Sequence, residues 1–222
     1  RKEESYLGIK GGSPTTNHAH MDGGSFVYDA FGRSWAIDPD RAPYSELESA
    51  ASGIGGDFWD MFQNSVRWQF PAIGNKWHNT ITINDKEFNV KGKAEIIEII
   101  DSKESKGAEL NLGSLFGPEV SRATRRISID SGDCLSVEDR VTAGQGKGPV
   151  LRWTFVTPAK VTVGRRDIEL ENEGTMVRLR TKANVRVSYK EFPSGNDSYR
   201  ICGFEAKLRP GKETVFRTKI SR

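Results

Sequence analysis

This 222-residue chain has 3 histidines, and two of them stand one residue apart in Asn17-His18-Ala19-His20-Met21-Asp22-Gly23-Gly24-Ser25-Phe26. The third, His78, follows Trp77 and opens His78-Asn79-Thr80-Ile81. Imidazole is the side chain best suited to metal ligation and to proton transfer near neutral pH. Chemistry in this chain is therefore expected around His18, His20 and His78. In an extended segment alternate side chains share a face, so His18 and His20 would point the same way, about 7 Å apart at about 3.3 Å per residue. Asp22 would continue that face until Gly23-Gly24 interrupts it and lets backbone or ligand approach closely. Beyond Ser25 to Ala30 and a Phe31-Gly32-Arg33 turn, a second strand from Ser34 ends on Asp38. A strand-end carboxylate beside two histidines, with a distant third, makes a His2Asp set of the kind that suits Zn²⁺, leaving a position for water or another group.

Other readings of the same residues are possible. An isolated His-x-His on a strand more often marks surface or hydrogen-bonded histidines than a metal site. Gly12, five residues, then His18-x-His20 resembles the opening of a cupin motif, but Gly24 and Ser25 stand where its glutamate should fall. His78 also lacks the Gly-rich setting a cupin requires. A serine hydrolase would need a Gly-x-Ser-x-Gly elbow between strand and helix, and the chain has none.

The bulk properties are those of a globular protein: 36% hydrophobic and 28% charged residues, with no apolar run near the roughly 20 needed to span a bilayer. A net charge of +3 and a pI near 8.8 suit an acidic ligand without arguing for nucleic acid. The doublets Arg125-Arg126 and Arg165-Arg166 could hold sulfates or carboxylates, although solvated strand faces are the commoner meaning of such pairs. Cys134 and Cys202 lie far apart, without metal-type spacing. The opening residues Arg1-Lys2-Glu3-Glu4 read like the interior of a longer protein, with Tyr6 to Lys10 already a strand.

From residue 76 onward, period-two alternation predicts strands at 79–84, 94–100, 125–130, 135–141, 151–156, 168–171, 176–180 and 185–189. Turn signals such as Ser131-Gly132-Asp133 and Pro193-Ser194-Gly195-Asn196-Asp197 separate them. Many short strands with Gly-rich turns predict an all-β, antiparallel two-sheet β-sandwich over 1–222. One or two short helices are expected near residues 45–64, one opening with Ser45 as a capping residue and another over Asp57 to Gln63.

Taken together, Asn-His-x-His-x-Asp-x-Gly-Ser-Phe, a hairpin ending Trp-x-x-Asp and a later His-Asn-Thr resemble the C-terminal half of the heparinase II/III-like polysaccharide lyases. Lys10-Gly11-Gly12 and the strand-rich remainder with Leu151-Arg152-Trp153-Thr154-Phe155 fit the same pattern. The resemblance implies a β-sandwich that partners an N-terminal α/α toroid, absent from this chain, across a substrate cleft. It implies β-elimination of a uronic-acid-containing polysaccharide such as heparan sulfate or alginate, in the periplasm or outside the cell. Under it His18 is the catalytic residue, and His20, Asp38 and His78 hold a structural zinc. Most of the remaining catalytic groups would lie on the toroid, so the chain alone is expected to be inactive. Tyr28 and Tyr44 lie near the motif without a matching family position, and Phe58, Trp59 and Trp77 are expected at the cleft rim. The alternative is a non-catalytic carbohydrate-binding or structural module that keeps the metal site.

Overall fold

Runs such as Phe26–Ala30, Leu135–Ala143 and Glu213–Ser221 alternate between buried and less buried side chains, and such runs become strands because one face must leave water while the backbone pairs laterally. A computed structural model describes residues 5–39, 42–71 and 73–222; Arg1 to Glu4 lie outside the described residues. β1 (Tyr6–Ile9), β2 (Phe26–Ala30) and β3 (Arg33–Ala36) form a three-stranded antiparallel sheet in that order. The β2–β3 hairpin turns through Phe31 and Gly32, both with left-handed φ (57° and 72°), a two-residue connection that suits the twist of paired strands.

The single α-helix among the described residues, α1 (Tyr44–Gly53), follows. Pro43 is its N-cap and makes no side-chain cap bond; Ser45 sits inside the first turn and does not cap it. Asp57 to Gln63, the other expected helix, consists of turns and bends. Phe58 is buried and Trp59 Nε1 donates to Glu48 Oε1 (2.7 Å), whereas Phe62 is exposed, and no repeating ladder forms.

The strands that follow are β4 (Ile81–Ile83), β5 (Glu95–Asp101), β6 (Ser105–Asn111), β7 (Val120–Asp130), β8 (Leu135–Ala143) and β9 (Val150–Thr157). The chain ends with β10 (Lys160–Val163), β11 (Ile168–Asn172), β12 (Thr175–Ala183), β13 (Val187–Phe192), β14 (Arg200–Lys207) and β15 (Glu213–Ser221). β6 and β10 fall between the runs singled out from sequence, and β14 and β15 lie beyond the last of them. One layer is an eight-stranded antiparallel sheet ordered β10-β11-β12-β15-β8-β7-β6-β5. The other layer is split. It comprises a four-stranded sheet, β13-β14-β9-β4, and beside it the β1-β2-β3 sheet, joined where the Ile37 amide donates to the Val156 carbonyl of β9 (3.0 Å).

The fold is thus the expected antiparallel sandwich, with one of its two layers made of two sheets. Its layers meet on stacked aromatics. Trp153 of β9 lies parallel to Phe155 and Phe204 at centroid distances of 6.1 and 5.5 Å, and Phe204 meets Phe216 of β15 at 5.4 Å. Each of these large side chains is completely buried, removing apolar surface worth about 1.5–3 kcal/mol per residue on transfer.

Candidate functional site

The site is built outward from Asn79, the middle residue of His-Asn-Thr, which is fully buried between the sheets. Its amide Nδ2 donates to the carbonyls of Phe26 (2.7 Å) and Ile37 (2.8 Å), and its Oδ1 accepts from the Val156 amide. One side chain therefore ties the end of β3 to the start of β2 and to β9. Its neighbours are held as firmly. Thr154 Oγ1 donates to the carbonyl of His78 (2.6 Å), and Thr80 Oγ1 donates to that of Gly23 (2.9 Å). Beneath them Arg125 of β7, also completely buried, binds Asp139 of β8 through two nitrogens and donates through Nη1 to the carbonyls of Gly24 and Asn79, both at 2.9 Å. Gly24 takes φ +76°, and a Cβ there would meet both Leu112 methyls at 3.0 Å, so the chain passes this point only as glycine.

On this platform sits the segment 13–24, a series of turns. The expected extended His-x-His is not formed: His18 takes a left-handed φ of 59°, and the alternation that would align two side chains is lost. Both histidines still line one cleft of about 610 Å³, together with Lys10, Asp22, Asp38 and Tyr44. Arg67, fully buried, holds the turn in place by donating from Nη2 to the Ala19 carbonyl (3.0 Å) and from Nη1 to that of Phe58 (3.1 Å), with its guanidinium 4.5 Å over the Phe58 ring.

The two histidines have different surroundings. His18 is exposed, its Nδ1 lies 3.0 Å from the Tyr44 hydroxyl, the two rings stack at 5.7 Å, and Trp59 meets it edge-on at 6.0 Å. His20 is half-buried, and its ring lies 5.9 Å from that of His78. Burial first, and then the neighbouring His78, hold the His20 imidazole below its ordinary pKa, against the opposing pull of Asp22 and Asp38. That keeps it neutral, the form that ligates metals.

His78 is completely buried, and its Nδ1 pairs with Asp38 Oδ1 at 2.9 Å. Its Nε2 is buried without a partner. Burial works to raise the Asp38 pKa, but the His78 hydrogen bond and the cationic Lys10 help bring the net shift downward, keeping the carboxylate ionised.

The structure therefore brings His20, Asp38 and His78 into one neighbourhood, with His18 beside them at the mouth. Among the described residues no group of three or more His, Cys, Asp or Glu side chains is already close enough to hold a metal ion. The donor set nevertheless suits zinc in kind: a neutral imidazole, an ionised carboxylate and a buried imidazole with one ring nitrogen unsatisfied.

Several other expectations change. Of the three aromatic residues placed at the rim, Trp59 is exposed, Phe58 is 1% accessible, and Trp77 packs half-buried against Val156, Phe192, Tyr199 and Ile201. Tyr28 is completely buried and donates to the Asp133 carbonyl, away from the cleft, while Tyr44 stands in it. Arg125 is an interior ion-pair residue, and only Arg126 of that doublet lies on a solvated face, paired with Glu98 and Glu109. Arg67 carried no motif that could have singled it out; its setting between Phe58-Trp59 and Trp68 was the available signal.

A profile described as heparinase II/III-like, C-terminal, matches residues 1–219. Among solved structures, a heparinase III gene product superposes with a TM-score of 0.68 at 15% identity, over 96% of this chain and 32% of that one. A mutant of the heparan sulfate lyase HepC from Pedobacter heparinus gives 0.69 at 14% identity, over 97% and 32%. A further heparinase III gives 0.65 at 15% identity, over 94% and 30%. At such identities the likeness is one of fold, and the chain spans about a third of the length of these structures. No curated protein matches it in sequence. With the profile running from the first residue into the last strand, the chain belongs to the heparinase II/III-like C-terminal family.

Proposed function

We propose that this chain is the β-sandwich part of a polysaccharide lyase that cleaves uronic-acid-containing chains by β-elimination, with His18 as its catalytic residue. The observation that carries the reading is the placement of His18: exposed at the mouth of the cleft, with Nδ1 engaged by Tyr44. In this reaction a base removes the proton at C5 of the uronate, the electron pair forms the C4–C5 double bond, and the glycosidic C4–O bond breaks with protonation of the leaving oxygen. Negative charge builds on the carboxylate as the enediolate forms, and a preorganised donor lowers that barrier. With Nδ1 engaged by Tyr44, the other nitrogen of His18 is the one offered to this charge or to the proton in transit. Lys10, ion-paired with Asp22 at 3.3 Å, adds a cation to the same cleft. The base and leaving-group acid are assigned to an α/α toroid domain of the parent protein. The parent is assigned to the periplasm or the extracellular space.

His20, Asp38 and His78 are proposed to hold a structural zinc, which would supply a fixed positive charge tying the His20 turn to the end of β3. The test is the rise in ultraviolet absorbance from unsaturated uronate when the full-length protein acts on heparan sulfate or alginate. His18→Ala should lower that rate by about 100-fold or more. Unchanged activity in this variant would remove His18 from the mechanism. Zinc binding without any eliminase activity would favour a non-catalytic module.

A further inference from the structure

The second arginine doublet lies in a different part of the molecule. Arg165 and Arg166 are exposed on the turn between β10 and β11, and Arg186, also exposed, immediately precedes β13. These two segments, one from each layer, converge on a concavity of about 670 Å³ where Ser188 and Tyr189 also contribute. Tyr189 is held by the Thr181 amide, which donates to its hydroxyl at 2.8 Å, so that wall is fixed.

Four exposed cations on β12, β13 and β15 are by contrast paired with carboxylates. Arg178 pairs with Glu169 (2.6 Å), Arg180 with Asp167 (3.2 Å), Arg217 with Glu138 (2.7 Å), and Lys190 with Glu205. Among the described residues Arg165, Arg166 and Arg186 form no ion pair with a carboxylate. Three uncompensated guanidiniums on one concave surface repel one another and focus positive potential outward. Their planar donor forks match the geometry of sulfate and carboxylate.

The place is remote from the histidine cleft. Val187 pairs with Ala206, which pairs with Leu151, which in turn pairs with Ile83, so the Arg186 end of the four-stranded sheet is the end opposite His78.

We propose that Arg165, Arg166 and Arg186 form a second binding site for an acidic polysaccharide, gripping its sulfate or carboxylate groups away from the histidine cleft. Such a site would hold a polymeric chain on the protein between encounters with the cleft. The proposal does not depend on the elimination chemistry, because its readout is binding.

The test is calorimetric titration with a heparin octasaccharide and an alginate octasaccharide, in a His18→Ala background so that turnover is slowed. The triple variant Arg165→Gln, Arg166→Gln, Arg186→Gln should bind at least tenfold more weakly and with a flatter dependence on salt. The equally exposed but paired set Arg178→Gln, Lys190→Gln, Arg217→Gln should stay within twofold of the background. Preference for heparin identifies sulfate as the ligand group, and equal binding identifies carboxylate. The assignment is overturned if the first triple variant keeps full affinity, if the control set loses as much, or if neither octasaccharide binds.

Discussion

Arg125 and Asp139 form a two-pronged ion pair at 2.6 and 3.1 Å with both side chains wholly removed from water, and Trp153 Nε1 donates to the same carboxylate at 2.9 Å. Because Arg125 also caps the carbonyls of Gly24 and Asn79, this pair joins the eight-stranded sheet to the backbone that presents His20 and His78. Arg125→Ala would leave a buried carboxylate without its cation and two carbonyls without a donor, at an expected cost of about 3–5 kcal/mol. Urea unfolding measures this. The double change Arg125→Met, Asp139→Leu should recover part of the loss, and a single variant as stable as the parent would contradict the account.

The Asn79 side chain makes three hydrogen bonds to three separate strand ends. Replacing it with Ala should cost about 1–3 kcal/mol, the scale of leaving buried backbone groups unpaired. The same change should loosen Asp38 and His78 relative to each other, so zinc affinity is expected to fall along with the unfolding midpoint.

Tyr44→Phe removes the hydroxyl 3.0 Å from His18 while keeping the stacked ring. Eliminase kcat in the full-length protein should drop by about tenfold or less, the kinetic equivalent of a hydrogen bond worth about 1 kcal/mol. The double variant Tyr44→Phe, His18→Ala should be no slower than His18→Ala alone. Additive losses would mean that Tyr44 acts independently of His18.

Elemental analysis of chelator-free protein should find about one zinc per chain. His20→Ala or His78→Ala should abolish it, and His18→Ala should retain it. Removing the ion should lower the unfolding midpoint, because a ligand bound only to the folded state stabilises it by mass action. Equal midpoints with and without zinc would refute a structural role.

Burial pushes the Glu87 carboxyl above its ordinary range, against the opposing hydrogen bond from the Asn64 amide. The folded state therefore binds this proton more tightly than the unfolded chain, and its contribution to stability falls as pH rises from the ordinary glutamate value through the raised one. Glu87→Gln, which keeps an acceptor for Asn64, should lose that pH dependence and gain relative to wild type between pH 4 and pH 7. Parallel unfolding curves at the two pH values would show that the proton is bound equally in both states.

Cys134 and Cys202 are both free thiols, and burial raises the pKa of each, most strongly for the fully buried Cys202 of β14. Iodoacetamide at pH 8 should spare Cys202 and label half-buried Cys134 slowly, whereas both should react in guanidinium. Rapid native labelling of Cys202 would show that β14 opens readily.

What the sequence by itself determined is local. The alternation over 135–141 and 176–180 predicts strands because one face of each must be apolar, and the structure extends them to Leu135–Ala143 and Thr175–Ala183. The grouping of His20, Asp38 and His78 was also legible, through the resemblance of the whole motif set to a family. Only the tertiary structure decided which charges would be buried. Arg125 and Arg126 are adjacent in one strand, yet alternate faces put the first in the core against Asp139 and the second in solvent, a choice set by strand order and register. It also decided that His18 would leave the extended conformation. Arg67, 49 positions further along the chain, draws the Ala19 carbonyl inward, and Tyr44 offers a partner for the imidazole on the far side of the turn. Period-two patterning records which face of a strand meets the core. The partner across the interior is chosen by long-range packing, and local spacing carries no record of it.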